Sequence, residues 1–181
     1  MHGTEAPSPW VCRWTPLISP AGQVLDLACG GGRHMQWLAS QGHRVLGVDR
    51  SAEALALAGT FGPTLQADIE NGPWPLEGQH FDAVVVTNYL WRALWPQILA
   101  SVAPGGVLIY ETFAQGHETV GRPSRADFLL APGELLQVAA QGKLRTVAYE
   151  DGFLREPERF VQRIAAVREV ASSPPARRPL F

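Results

Sequence analysis

A chain of 181 residues with 46% hydrophobic content is long enough for one domain with a proper core. Fifteen basic against seventeen acidic residues leave a net charge of −2, and the arginines are scattered, which argues against a nucleic-acid surface. Cys12 and Cys29 have neither metal-ligand spacing nor the look of a disulfide framework, and no apolar stretch is long enough to span a bilayer, so the expectation is a cytoplasmic protein with no metal and no membrane partner.

Residues 1–9 read as loose, with three prolines in the first sixteen positions and no apolar core of a signal peptide. Trp10, Val11, Trp14 and Leu17 predict a short helix or lid edge within a segment 1–21. Val24–Ala28 is a short apolar run carrying one acid, Asp26, and reads as a buried parallel strand. The glycines 30–32 follow at once, and Met35, Trp37, Leu38 and Ala39 give the next segment a helical apolar face. A strand–glycine–helix turn lets a ligand approach the backbone and offers it the free N–H groups of the helix start. A P-loop is excluded, because Arg33 and His34 stand where Lys and Ser/Thr are needed. A dinucleotide fingerprint is disfavoured because Met35 occupies its third glycine position. Asp26 beside the loop would repel a pyrophosphate and suits a ligand with an ammonium or sulfonium group.

Val45–Asp49 predicts a second strand ending in an acid 19 positions after Gly30, a spacing that suits an adenosine ribose, and Ser51 is placed to cap a helix over 52–58. Leu65–Asp68 predicts a short third strand and Phe81–Val86 a fourth, leading to Thr87, Asn88 and Tyr89. Asp82 reads as structural. Pro104-Gly105-Gly106 with Val107–Tyr110 gives a turn and fifth strand. The polar stretch 114–127 is too long for a plain connector and reads as a functional loop. A helix over 132–140, strands over 144–149 and 160–167 joined by 151–158, and a loose tail 171–181 complete the chain. Alternation of strands and helices from residue 22 onward implies a parallel sheet with helices on both faces.

Asp26-Leu-Ala-Cys-Gly-Gly-Gly resembles the first motif of class I S-adenosylmethionine-dependent methyltransferases, with Ala28 in place of the first glycine. The resemblance implies a Rossmann-like, seven-stranded, mostly parallel α/β sheet with an antiparallel last strand, spanning a domain 22–170. It implies S-adenosylmethionine as cofactor, held by Asp26, Ala28, Cys29, Gly30, Gly32, Arg33, Asp49, Arg50, Asp68, Ile69, Thr87 and Asn88. In it Asp49 holds both ribose hydroxyls and Asp68 meets the adenine amino group. Phe128–Leu136 and Arg159-Phe-Val-Gln-Arg163 further resemble the small tellurite-resistance-type branch, whose last strands carry arginines near the active site. That branch has His-Arg in its hairpin, whereas Leu154 precedes Arg155 here, which argues against tellurite as substrate. The implied reaction is in-line methyl transfer to a small anionic or soft acceptor, with Tyr89, Arg159 and Arg163 as catalytic candidates in a monomer or homodimer. The 114–127 loop with Arg155, Arg159 and Arg163 would close over the sulfonium. His34, His117 and Tyr89 are the candidate general bases. Two other readings stand beside it: a non-catalytic cofactor-binding module and a nicotinamide-dependent oxidoreductase.

Overall fold

The computed structural model describes residues 6–171, so the expectations for the first five residues and for the tail beyond 171 lie outside it. Seven strands form one sheet in the order β3-β2-β1-β4-β5-β7-β6. They are β1 (Gln23–Leu27), β2 (Arg44–Asp49), β3 (Thr64–Gln66), β4 (Phe81–Thr87), β5 (Val102–Phe113), β6 (Arg145–Arg155) and β7 (Glu158–Val167). Neighbours from β3 through β5 pair in parallel, and β7 runs antiparallel to both β5 and β6.

Side chains along the central strands alternate between two hydrophobic layers, as a pleated strand requires. Ala83 and Val85 of β4, Val107 and Ile109 of β5, and Ala165 and Val167 of β7 point to one face. That face is covered by α1 (Pro9–Trp14), α2 (Arg33–Ser40) and α3 (Ala52–Ala58) through Trp10, Met35, Leu38 and Leu55. Val84, Val86, Leu108, Tyr110 and Ile164 point the other way, onto α4 (Trp95–Ala100) and α5 (Glu134–Gln141). Because both faces are buried, these strands read as continuous apolar runs. Ser51 caps α3 as its position suggests, its hydroxyl accepting the Ala54 N–H. Asp82 accepts the Gln23 N–H at 2.7 Å and so pins the starts of β1 and β4 together.

Three features depart from the sequence-based reading. Residues 6–9 are seated on the domain: Ser8 is 3% exposed, caps α1 and donates its hydroxyl hydrogen to Glu111 at 3.0 Å. The last two strands form one long hairpin in which Arg155 pairs with Glu158, so little more than a two-residue turn stands where a connector 151–158 was expected. Glu150, Asp151 and Gly152 are exposed on that outer strand, so hydrophobic alternation is missing there. The helix expected over 132–140 begins only at Glu134, with Gly133 at φ +73° as its N-cap.

The segment 114–133 is fixed in place by an arginine clamp. Arg92 donates to the Asp127 and Leu129 carbonyls and to both oxygens of Glu134, at 2.6 to 2.9 Å. Burial alone would raise the Glu134 carboxyl, but the Arg92 guanidinium and the Ala131 N–H outweigh it and hold it below the ordinary range. Arg92→Ala is expected to cost about 1.5–3 kcal/mol, the range for hydrogen bonds to a charged group, read as a lower urea midpoint at unchanged slope.

Candidate functional site

The loop from β1 to α2 turns through three left-handed residues, Ala28 (φ 56°), Gly30 (φ 53°) and Gly32 (φ 83°). Ala28 therefore keeps the conformation that a glycine would adopt most easily, at the strain of a Cβ in that region. Asp49 at the end of β2 buttresses the loop: one carboxylate oxygen accepts the Gly30 N–H and the other the Ser51 N–H, each at 2.9 Å. Each oxygen retains a further acceptor position. Asp49, Ala28, Arg50, Asp68, Ile69 and Tyr89 wall a pocket of about 180 Å³ at the carboxyl ends of β1 to β4, the position where open α/β sheets bind ligands.

Asp68 is turned by its own neighbourhood. Its oxygens accept from Glu70 N, Asn71 N and Asn71 Nδ2 at 3.0 to 3.1 Å, and Asn71 above all keeps the exposed carboxyl below its usual range. Asp26 is the reverse case. It is 1% exposed, one oxygen has no hydrogen-bond partner among the described residues, and burial pushes its carboxyl up to about 7 against the pull of Arg33. A buried carboxylate oxygen left without a donor is a costly arrangement that a ligand cation would relieve. Beside it, burial and then the charges of Asp26 and Asp49 push the Cys29 thiol far up, so it is an inert wall residue.

The glycine pattern separates the possible cofactors. A Cβ at Gly47 of β2 would overlap the sulfur atoms of Met35 and Cys29. Met35, at the third glycine position of a dinucleotide fingerprint, thus fills the space over β2 with its own side chain. A Cβ at Gly32 would lie 2.8 Å from Ala58 Cα, whereas one at Gly30 meets nothing within 4 Å. Gly32 is therefore required by its left-handed backbone and by the packing of α3 against the loop. Gly30 is the glycine that opens onto free space.

A second, larger cleft of about 780 Å³ opens beyond Asn88. Its walls are the N-terminal segment at Ser8, Arg33 at the start of α2, Phe113, His117, Arg122 and the β7 arginines Arg159 and Arg163. Thr87 ends β4, and Asn88 after it lines the larger cleft; Asn88 takes φ 52° and its N–H donates to the Glu111 carbonyl. Glu111 is fully buried beneath the cleft and carries Ser8, Arg163 at 3.3 Å and Arg159 at 3.5 Å.

Several candidate residues land elsewhere than expected. Tyr89 lines the smaller pocket, and burial, then the nearby Glu70 carboxylate, push its phenol far up, so it is no base at neutral pH. Arg163 is committed to the protein: it donates to Glu150 at 2.6 and 2.8 Å, reaches Glu111, and lies 4.9 Å over the Trp10 ring. Arg155 is exposed near the hairpin tip, outside the cleft wall. Arg159, 15% exposed, has a buried Nε–H with no partner among the described residues. His34 Nε2 accepts the Ser8 N–H at 3.1 Å, which leaves the ring proton on Nδ1, 3.4 Å from Thr87 Oγ1. With both nitrogens used, His34 is a strut rather than a base. The parts that sequence reasoning missed, Ser8, Arg92 and Glu111, carry no local motif.

Residues 24–106 match the family model described as a methyltransferase domain. The chain is 35% identical over 126 residues to a trans-aconitate 2-methyltransferase of Paracidovorax citrulli, covering 64% of this chain and 48% of that protein. Its fold superposes on TehB from Haemophilus influenzae with a TM-score of 0.73 at 22% identity, covering 93% of this chain and 64% of that one. A glycopeptide N-methyltransferase, MtfA, solved with S-adenosylhomocysteine, matches with a TM-score of 0.64 at 16% identity over 91% of each chain. The architecture is thus the Rossmann-like methyltransferase fold. Residues 24–106 therefore carry the likeness to a methyltransferase domain, and the fold neighbour MtfA holds S-adenosylhomocysteine. It spans about half the length of the curated relatives it matches. Among the described residues no helix is long and apolar enough to cross a membrane.

The two glycines give a clean contrast. Gly32→Ala should lose about 2 kcal/mol or more, from steric overlap and left-handed strain, in a thermal melt. Gly30→Asn, with a residue that tolerates left-handed backbone, should stay within about 1 kcal/mol of the parent while binding S-adenosylhomocysteine at least about tenfold more weakly by calorimetry.

The site also sets an acid limb. Burial, and then Arg33, lower His34 from 6.5 to about 3, so its contribution to stability is complete above pH 6.5 and drains as pH falls toward 3. By pH 5 that loss is about 2 kcal/mol. Asp26, raised from 3.8 to about 7, works in the opposite sense, adding stability as pH falls through the same window. His34→Gln should therefore gain about 2 kcal/mol relative to the parent between pH 7 and pH 5, measured as the difference between their urea denaturation curves at the two pH values.

Proposed function

We propose that the protein transfers a methyl group from S-adenosylmethionine to a small anionic acceptor held in the larger cleft. The observation that carries the acceptor half is Arg159, whose buried Nε–H has no partner among the described residues and which lines a cleft with Arg33, Arg122 and Arg163 against Glu156 and Glu158. The residues of the glycine loop and the strand ends beside it fit the cofactor. Asp49 keeps lone pairs for ribose hydroxyls, the orphan oxygen of Asp26 suits the ammonium of the methionine moiety, and Gly30 leaves room above the loop.

When bound, S-adenosylmethionine supplies an electrophilic methyl on its sulfonium. The chain's own work is alignment and exclusion of water, since holding two reactants in attack geometry supplies roughly 7–11 kcal/mol. Asn88, in the wall of the larger cleft, directly precedes Tyr89 in the wall of the smaller pocket, and Ser8 closes the cleft on the N-terminal side. Arg159 positions the acceptor's negative charge. Support for a small carboxylate comes from the relative whose name specifies trans-aconitate, and the resemblance of residues 128–163 to the tellurite-resistance branch points the same way, toward small anions. Met35 over Gly47 weighs against a nicotinamide cofactor. Both cysteines are free, which fits the reducing cytoplasm in which we place the protein.

Asp49→Ala should weaken S-adenosylhomocysteine at least about tenfold in calorimetry, from the loss of charge-assisted bonds. Arg159→Ala should leave that affinity within about twofold and lower kcat/KM about tenfold or more in a screen of carboxylate acceptors that includes trans-aconitate. Full kcat/KM in Arg159→Ala, or a protein or RNA as the sole methylated product, would overturn the small-acceptor reading.

A further inference from the structure

The acceptor cleft carries one group that methyl transfer to a carboxylate leaves idle. His117 is 4% exposed and lines the cleft with Asn88 and Arg159. It begins a short 3-10 turn, His117–Thr119, just beyond β5. Its N–H donates to the Ala114 carbonyl, and the Ala114 N–H donates to the Phe160 carbonyl. The turn is thereby fastened to β7 at the residue next to Arg159.

Two contacts fix the ring. It stacks on Phe113 with centroids 4.4 Å apart and planes at 28°. Its Nε2 lies 3.0 Å from the Arg122 carbonyl oxygen. A carbonyl only accepts, so Nε2 bears the proton, and Nδ1 of the neutral ring is a lone pair. Nδ1 is buried and meets no donor among the described residues. Orienting a lone pair this firmly and leaving it unsatisfied costs free energy. Stacking alone would be served equally well by a phenyl ring. The arrangement makes sense if a ligand brings the donor.

We propose that His117 Nδ1 takes the proton of the methyl acceptor, so that the acceptor is a small anion whose nucleophile is a protic O–H or N–H group. This rests on the methyl-transfer reading above and narrows its substrate class. The acceptor's anionic group pairs with Arg159, and its O–H or N–H donates to Nδ1. In the transfer, the nucleophile's lone pair forms the bond to the methyl carbon, and the carbon–sulfur bond breaks with its electron pair going to sulfur. The proton passes from the nucleophile to Nδ1. His117 becomes an imidazolium whose Nε2–H remains on the Arg122 carbonyl, and it returns the proton to water as the product leaves.

The test uses the full chain saturated with S-adenosylhomocysteine and compares benzoate with the three monohydroxybenzoates by calorimetry. At least one hydroxybenzoate should bind about fivefold or more tightly than benzoate, the gain of one hydrogen bond. His117→Phe should erase that preference and leave benzoate unchanged. His117→Gln, whose amide oxygen accepts a hydrogen bond but takes no proton, should keep the preference. It should lose methyl transfer from labelled S-adenosylmethionine to that hydroxybenzoate by on the order of a hundredfold. The proposal is overturned if no hydroxybenzoate outbinds benzoate, if the preference survives in His117→Phe, or if His117→Gln turns over normally. Should His117→Phe fail to fold by circular dichroism, His117→Gln alone decides. Loss of S-adenosylhomocysteine binding in the parent chain would instead overturn the methyl-transfer reading, and failure of benzoate to bind at all would overturn the anionic-acceptor reading together with this one.

Discussion

The acceptor side of this molecule is built on one buried carboxylate. Glu111 sits at the far end of β5 with no solvent exposure, and three side chains from two separate parts of the chain converge on it. Ser8 arrives from the N-terminal segment, while Arg159 and Arg163 arrive from β7. A lone carboxylate at that depth would be expensive to bury, and a guanidinium equally so. Glu150 on β6 takes the other side of Arg163, and this network fixes the relative placement of α1, β5, β6 and β7. The cleft beyond Asn88 exists because those elements are held around it.

The cofactor side rests on a different kind of constraint, local and backbone-centred. Asp49 reads the glycine loop through a single N–H and the start of α3 through another. Neither contact requires a distant element beyond the neighbouring strand. This division explains why the two halves of the site differ so much in what their residues can be asked to do. One half presents a preset backbone to a fixed ligand; the other presents side chains whose roles depend on which charge has already been claimed by the protein.

The same division governs how far sequence alone could carry. The strand–glycine–helix turn, the acid ending β2 and the cap at Ser51 lie within a few residues of one another, so spacing is enough to find them. Sheet order and the antiparallel β7 follow from the resemblance those motifs support. Arg163 shows where the method stops. Its position on an otherwise apolar strand face is visible from alternation, but its partners come from β5 and β6, at the register pairs Glu111↔Arg163 and Glu150↔Arg163. Only the register reveals that its charge is already neutralised. Gly32 is similar: its glycine is visible in the motif, but the reason for it, the backbone of α3 at Ala58, is a tertiary contact. The hairpin was underestimated because an exposed edge strand has no buried face to write a period into the sequence.

The interlock of Met35 with Gly47 has an evolutionary consequence. The sulfur of Met35 lies where a side chain at position 47 of β2 would have to go, so the helix and the strand each hold the other's residue in place. Changing Met35 to glycine would leave a void against β2 without creating a place for a pyrophosphate, and changing Gly47 to anything larger would expel Met35. Each step is unfavourable until the other has been taken. A lineage carrying this pair is separated from dinucleotide-binding relatives on the same scaffold by a valley that single substitutions do not cross, and its choice of cofactor is entrenched in a contact that never touches the cofactor.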